Sequence, residues 1–186
     1  MENQKKGCLY IISGPSGCGK NTVFDALAAK DPHIGQTVST TTRKPRDGER
    51  DGVDYYFISE SEFLQKIDNN EFLEHVCYAN NYYGTLRSEI DRVLNEYEKA
   101  ALVIEINGAL NIKKLYPSAV SVFLMPPSLE TLRERIACRG GMSDEDLERR
   151  MQTALQEMEQ RYLYDYIVVN DILEKTVEEV YNIINK

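Results

Sequence analysis

Short apolar runs alternate with amphipathic stretches along most of this chain. Residues 9–13, 101–106, 119–124 and 166–169 are almost continuously apolar. Runs of that length, apolar on both faces and separated by helical segments, predict a parallel sheet covered on each side. The helical period is clearest over 88–98, where Ile90, Val93, Leu94 and Tyr97 recur at helical spacing. Helices are also predicted over 22–30, 129–138, 143–164 and 174–185. The helix over 129–138 follows Pro126-Pro127-Ser128, a stop and a cap. The helix over 143–164 opens on Ser143 and Asp146 as a capping box, and Leu147, Met151, Leu155, Met158 and Tyr162 make one apolar stripe that reads as core packing.

One region breaks this rhythm. From about residue 38 to 88 the chain is polar and rich in Tyr, Thr and Arg. Short strands are expected at 55–58 and 72–78, a short helix at 61–67, and a hairpin turn at Asn80-Asn81 before Tyr82-Tyr83. The reading is a small β-rich insertion, 38–88, carried on a larger α/β core.

Composition narrows the class of protein. Of 186 residues, 42% are apolar and 28% charged, the balance of a water-soluble globular domain. Twenty-two basic against 30 acidic residues give a net charge of −8. A field of that sign repels phosphate, so nucleic acid and anionic membranes are poor partners. Any phosphate ligand needs a local cluster of positive charge. No run approaches the ~18 apolar residues of a membrane span. The first residues lead straight into the 8–13 strand without the pattern of a secretory leader. Cys8, Cys18, Cys77 and Cys138 are scattered, without metal spacing. Reduced thiols and a cytoplasmic location are expected.

The sharpest chemical signal is Gly14-Pro15-Ser16-Gly17-Cys18-Gly19-Lys20-Asn21-Thr22, between a predicted buried strand and a predicted helix. That is the context of a phosphate-binding loop. Glycines let successive N–H groups turn toward an anion, the helix N-terminus adds about half a positive charge, and Lys20 adds a full one. The general motif has Ser or Thr after the lysine as a Mg²⁺ ligand. Here Asn21 holds that place and Thr22 follows, so Mg²⁺ dependence is expected, with Asn21 or Thr22 as the weak protein contact beside phosphate and water.

Further on, Arg43-Lys44-Pro45-Arg46 packs three positive charges into four residues. It lies within Ser39-Thr40-Thr41-Thr42-Arg43-Lys44-Pro45-Arg46-Asp47-Gly48-Glu49. Gly52-Val53-Asp54-Tyr55-Tyr56-Phe57, Asn70-Glu71-Phe72-Leu73-Glu74 and Asn81-Tyr82-Tyr83-Gly84-Thr85 follow. With the phosphate loop, this order of motifs resembles the guanylate kinases over essentially the whole chain. The resemblance implies a P-loop NTPase-type three-layer α/β fold with a parallel sheet. It has a core (about 1–37, 89–138 and 151–186), a nucleoside-monophosphate-binding subdomain (38–88) and a helical lid (139–150).

It also implies roles. ATP would lie on residues 14–22, with Asn170 near adenine. Arg43, Arg46, Tyr55 and Tyr83 would hold the phosphate of GMP. Ser39, Glu74 and Thr85 would read guanine. Guanine offers N1–H and a 2-amino group to a carboxylate, whereas adenine presents a lone pair at N1; a buried carboxylate left unpaired discriminates by ~10⁴ or more. Lys20, Arg135, Arg139 and Arg150 would serve phosphoryl transfer, with Gly140-Gly141 as a hinge. The stretch Leu102 to Gly108 resembles the family's L-[DE]-I-D-V-Q-G. Val103 replaces the first acidic residue, Asn107 replaces Gln, and Glu105 stands at the second acidic place, near GMP. Monomer and homodimer both fit. Two other readings stay open: a related kinase with another nucleotide or ribose-phosphate acceptor, and a non-catalytic guanylate-kinase-like binding module.

Overall fold

The computed structural model describes residues 8–78, 80–138 and 143–186. Strands β1 (Cys8–Ser13), β2 (Ile34–Gln36), β7 (Lys99–Val103), β8 (Val120–Met125) and β9 (Tyr166–Val169) form a parallel sheet in the order β2-β7-β1-β8-β9. The alternation of side chains along each strand divides the core in two. Tyr10 and Ile12 of β1 and Val122 and Leu124 of β8 pack on α1 (Lys20–Lys30) and α7 (Leu173–Ile184). Ile11 and Phe123 point the other way, onto α3 (Arg87–Glu96) and α4 (Ile106–Leu115). Apolar runs without polar alternation are what such a doubly covered sheet requires.

The predicted strand over 101–106 runs too far. β7 ends at Val103, and Ile106 already opens α4, with Glu105 in extended conformation as its N-cap. Ile104 and Ile106 are buried in the core beneath α4, so a run that reads as strand is strand, turn and helix start. The expected helix over 143–164 is α6 (Asp144–Glu159), closed by a tighter 3₁₀ turn (Gln160–Leu163). Its cap is as the sequence predicts: Ser143 Oγ accepts the Asp146 N–H at 3.2 Å, and the Asp146 carboxylate accepts the Ser143 N–H in return. α5 (Leu129–Ala137) packs on α6 through Leu132, Ile136, Met151 and Ala154.

A second sheet comes from the polar region. β3 (Thr40–Thr41), β4 (Tyr56–Phe57), β5 (Phe72–Tyr78) and β6 (Asn81–Leu86) take the order β4-β3-β6-β5. Of the expected turn pair, Asn80 carries a positive φ of 59°, whereas Asn81 already belongs to β6 and pairs with Tyr78. Helix α2 (Glu60–Asp68) caps this sheet by stacking Phe63 on Phe72 and Tyr82, with ring centroids 4.2 and 5.3 Å away. Glu89 on α3 ties the sheet to the core. Its carboxylate accepts the Val38 N–H at 2.8 Å, the Tyr56 hydroxyl at 3.0 Å and the Arg92 guanidinium at 2.9 Å. Burial opposes the charge on Glu89, but those donors outweigh it and hold its pKa below the usual carboxylate range. Arg139 and the Gly140-Gly141 hinge lie outside the described residues.

Candidate active site

The phosphate loop joins β1 to α1. Gly17 and Gly19 hold φ of +87° and +92°, a region that side-chain-bearing residues rarely adopt. A Cβ on Gly19 would also lie 2.5 Å from Asn170 Nδ2. That amide donates to the Cys18 carbonyl at 2.8 Å, and the Asn170 backbone carbonyl accepts both terminal nitrogens of Arg135 at 3.2 Å. Asn170 and Arg135 thus meet beneath the loop. Cys18 is buried there, which pushes its thiol up and keeps it uncharged.

Lys20 Nζ donates to the Gly14 carbonyl at 2.8 Å and stands 3.6 Å from Glu105 Oε1. Burial works against the ammonium, but Glu105 and Glu157 outweigh it and raise its pKa. Asn21 and Thr22 occupy the exposed first turn of α1 and face the same cleft. Among the described residues no three His, Cys, Asp or Glu side chains gather as a metal cage. The neutral oxygens of Asn21 and Thr22 fit an ion that takes most of its ligands from phosphate and water.

Across the cleft stands a second cationic group. Arg43 is held in a fork by Glu49 at 2.9 and 2.8 Å, and Glu49 also accepts the Arg46 N–H at 2.7 Å. The Arg43 guanidinium lies 5.4 Å from the centre of the Tyr55 ring, and Tyr55 meets Tyr83 edge to face at 6.2 Å. Glu49 falls within a quoted motif, yet its charge alone gave no sign that it fixes the arginine. Third, α6 contributes Asp146, Arg149, Thr153 and Arg150. These three groups enclose one cleft of about 800 Å³. Five basic residues line it (Lys20, Arg43, Arg46, Arg149, Arg150) against three acidic ones (Glu49, Glu105, Asp146). A chain of net charge −8 has gathered its positive charge here.

The expected base-reading residues sit apart from that lining. Glu74 and Thr85 are 8% and 0% exposed, and the Thr85 hydroxyl donates to Glu74 Oε1 at 3.0 Å. Burial pushes the Glu74 carboxyl up to about 7, against the opposing pull of Thr85. Gly108, in the first turn of α4, allows this packing: a Cβ there would lie 2.7 Å from Glu74 Oε2. Ser39 lies half-buried just before β3, its carbonyl accepting the Tyr56 N–H at 2.9 Å. Glu105, three residues before Gly108, reaches the cleft from the same helix start, 3.6 Å from Lys20 Nζ.

A strand, a glycine loop and a helix on a parallel sheet, opening into a cationic cleft, define a P-loop phosphotransferase. The guanylate kinase family model matches residues 6–186. The chain is 46% identical to a guanylate kinase of Symbiobacterium thermophilum, over 99% of this chain and 87% of that one. It is 44% identical to one from Hydrogenovibrio crunogenus, over 95% and 86%. The crystal structure of guanylate kinase from Anaplasma phagocytophilum superposes with a TM-score of 0.77 at 32% identity, covering 96% of this chain and 85% of that one. A shikimate kinase from Bacteroides thetaiotaomicron shares the fold alone, with a TM-score of 0.56 at 16% identity. The chain belongs to the guanylate kinase family.

Proposed function

We propose that this protein transfers the γ-phosphoryl group of ATP to GMP, giving ADP and GDP. The observation that carries the reading is the single cleft lined on one side by the phosphate loop with Lys20 and on the other by Arg43, Arg46, Tyr55 and Tyr83. Two polyanions brought together need this distribution of charge. A phosphate oxygen of GMP attacks the γ-phosphorus while the bond to the β-bridging oxygen breaks, and ADP departs with that electron pair. No general base is required, because a phosphate monoester with a second pKa near 6 is mostly ionised at neutral pH.

The work left to the protein is positioning and charge neutralisation. Lys20 and the loop N–H groups take the β- and γ-phosphates. Arg43 and Arg46, fixed by Glu49, grip the acceptor phosphate, with Tyr55 and Tyr83 donating from stiffer stems. Arg150 spans donor and acceptor, a type of contact that contributes ~10³–10⁵ in rate; the family resemblance gives Arg139 a part in the same transfer. Arg135 and Asn170 act from below the loop, through its shape. Ser39, Glu74 and Thr85 select guanine. Asn21 and Thr22 would be the side chains that help hold Mg²⁺ brought in with ATP, and the ion would supply charge neutralisation at the phosphates. dGMP is accepted as well. The setting is purine nucleotide metabolism in the cytoplasm, in keeping with four cysteines that form no disulfide.

A coupled ADP-release assay across GMP, dGMP, AMP, CMP and UMP tests the proposal. Turnover is expected with GMP and dGMP. Turnover that ignores GMP would assign another acceptor, and no turnover with any would leave a binding module.

A further inference from the structure

The phosphate loop carries a carboxylate of the protein's own. Glu157, on α6, accepts the backbone N–H of Ser16 at 3.3 Å. Ser16 lines the cleft, and loop N–H groups of this kind are the donors that cradle phosphate. One N–H serves one strong acceptor, and two anions held at one loop repel each other. Glu157 is half-buried, within the field of both Lys20 and Glu105, and burial raises its pKa. It has the chemistry of a phosphate stand-in, a carboxylate oxygen on a main-chain donor beside a lysine.

The helix gives this contact a reach. Arg150 and Glu157 are seven residues apart on α6, two turns, and therefore share one face. A rigid helix fixes the spacing between them at ~10.5 Å along its axis. The Ser16–Glu157 contact thus sets how close Arg150 sits to the loop.

We propose that Glu157 is an internal competitor for the phosphate loop, displaced by the phosphates of ATP, so that binding the donor frees α6 to move Arg150. This rests on the phosphotransfer reading above and adds a positioning residue to it. A different role, simple support of the loop, makes the opposite prediction: removing the carboxylate would then weaken ATP binding.

The test is calorimetric titration of the full chain with MgATP, inorganic tripolyphosphate and GMP, for the unaltered protein, Glu157→Gln and Glu157→Asp. Gln keeps the size and loses the charge; Asp keeps the charge and is too short for the 3.3 Å contact. Both variants should bind MgATP and tripolyphosphate more tightly, Gln by ~10-fold, the factor recovered when a state populated at about one part in ten becomes dominant. GMP affinity should stay put. Equal or weaker MgATP binding in a variant that melts like the unaltered protein overturns the proposal. If the Gln variant does not fold, the Asp variant decides by the same criterion. Failure of the unaltered chain to bind MgATP would instead overturn the phosphotransfer reading, which keeps the two failures apart.

Discussion

A carboxyl group held at a pKa of about 7 inside a folded protein has a consequence for stability as well as for recognition. Glu74 rises from 4.5 to about 7 because burial disfavours its charge more than Thr85 favours it. Between those values the folded chain keeps a proton that the unfolded chain has released. The contribution of Glu74 to stability is therefore fully present below about pH 4.5 and is lost as pH rises through 7. At 1.36 kcal/mol per pKa unit, the difference amounts to about 3 kcal/mol. Glu74→Gln carries no such charge. Any constant cost of the amide, such as an unsatisfied donor, is the same at every pH and cancels in a difference. The assay is urea unfolding of both proteins at pH 5 and pH 8. The Gln variant should gain about 2.5 kcal/mol on the unaltered protein between the two conditions, since at pH 5 the unfolded carboxyl is already mostly ionised, while its preference for GMP over AMP falls. Two unfolding curves that keep the same separation at both pH values would refute the raised pKa, and unchanged base preference would refute the reading role.

Other outcomes follow from the same geometry. Gly108→Ala places a methyl 2.7 Å from Glu74 Oε2 and must turn the carboxylate away. Steady-state kinetics should show the KM for GMP raised ~10-fold, the KM for ATP unchanged and little loss of stability, since Ala gains about 1 kcal/mol over Gly in a helix. An unaltered KM for GMP would show that the close approach is irrelevant to recognition. Glu49→Ala releases Arg43 from its fork and Arg46 from its main-chain anchor. Loss of that preorganisation should raise the KM for GMP by ~10-fold with ATP again unaffected, and equal effects on both substrates would argue for general damage instead.

The parts of this protein that were legible in its sequence are those governed by local pattern. The doubly covered parallel sheet follows from apolar runs too continuous to face water. The phosphate loop follows from glycines and a lysine between a strand and a helix. The Ser143 cap obeys a short-range rule; of the expected apolar stripe, Met151 is buried with Leu147 and Met158 packed beside it, whereas Leu155 and Tyr162 are exposed, because α5 covers the side of α6 that carries Ala154 instead. The order of motifs from Ser39 to Thr85 carries the family. What could not be read locally is where tertiary contacts override the pattern. The 101–106 run bends into α4 because the chain must leave the sheet at its C-terminal edge, and Glu105 caps the helix without a side-chain hydrogen bond to announce it. β2 is a three-residue edge strand, too short to show a period.

At the site, residue types were evident but their partners were not. The phosphate loop marked Lys20 as a candidate phosphate ligand, and the family resemblance implied phosphate roles for Arg43 and Arg46 and a base-reading role for Glu74. Only folding decided that Glu49 would clamp Arg43, that Gly108 would stand against Glu74, and that Asn170 and Arg135 would meet under the loop 152 and 117 residues from Cys18, by subtraction of their positions. It also decided that Glu157 would reach Ser16 across 141 positions. Local chemistry writes itself into neighbouring residues. The pairing of charges over such separations depends on where the sheet order and helix packing bring the backbone, and no short window of sequence records that.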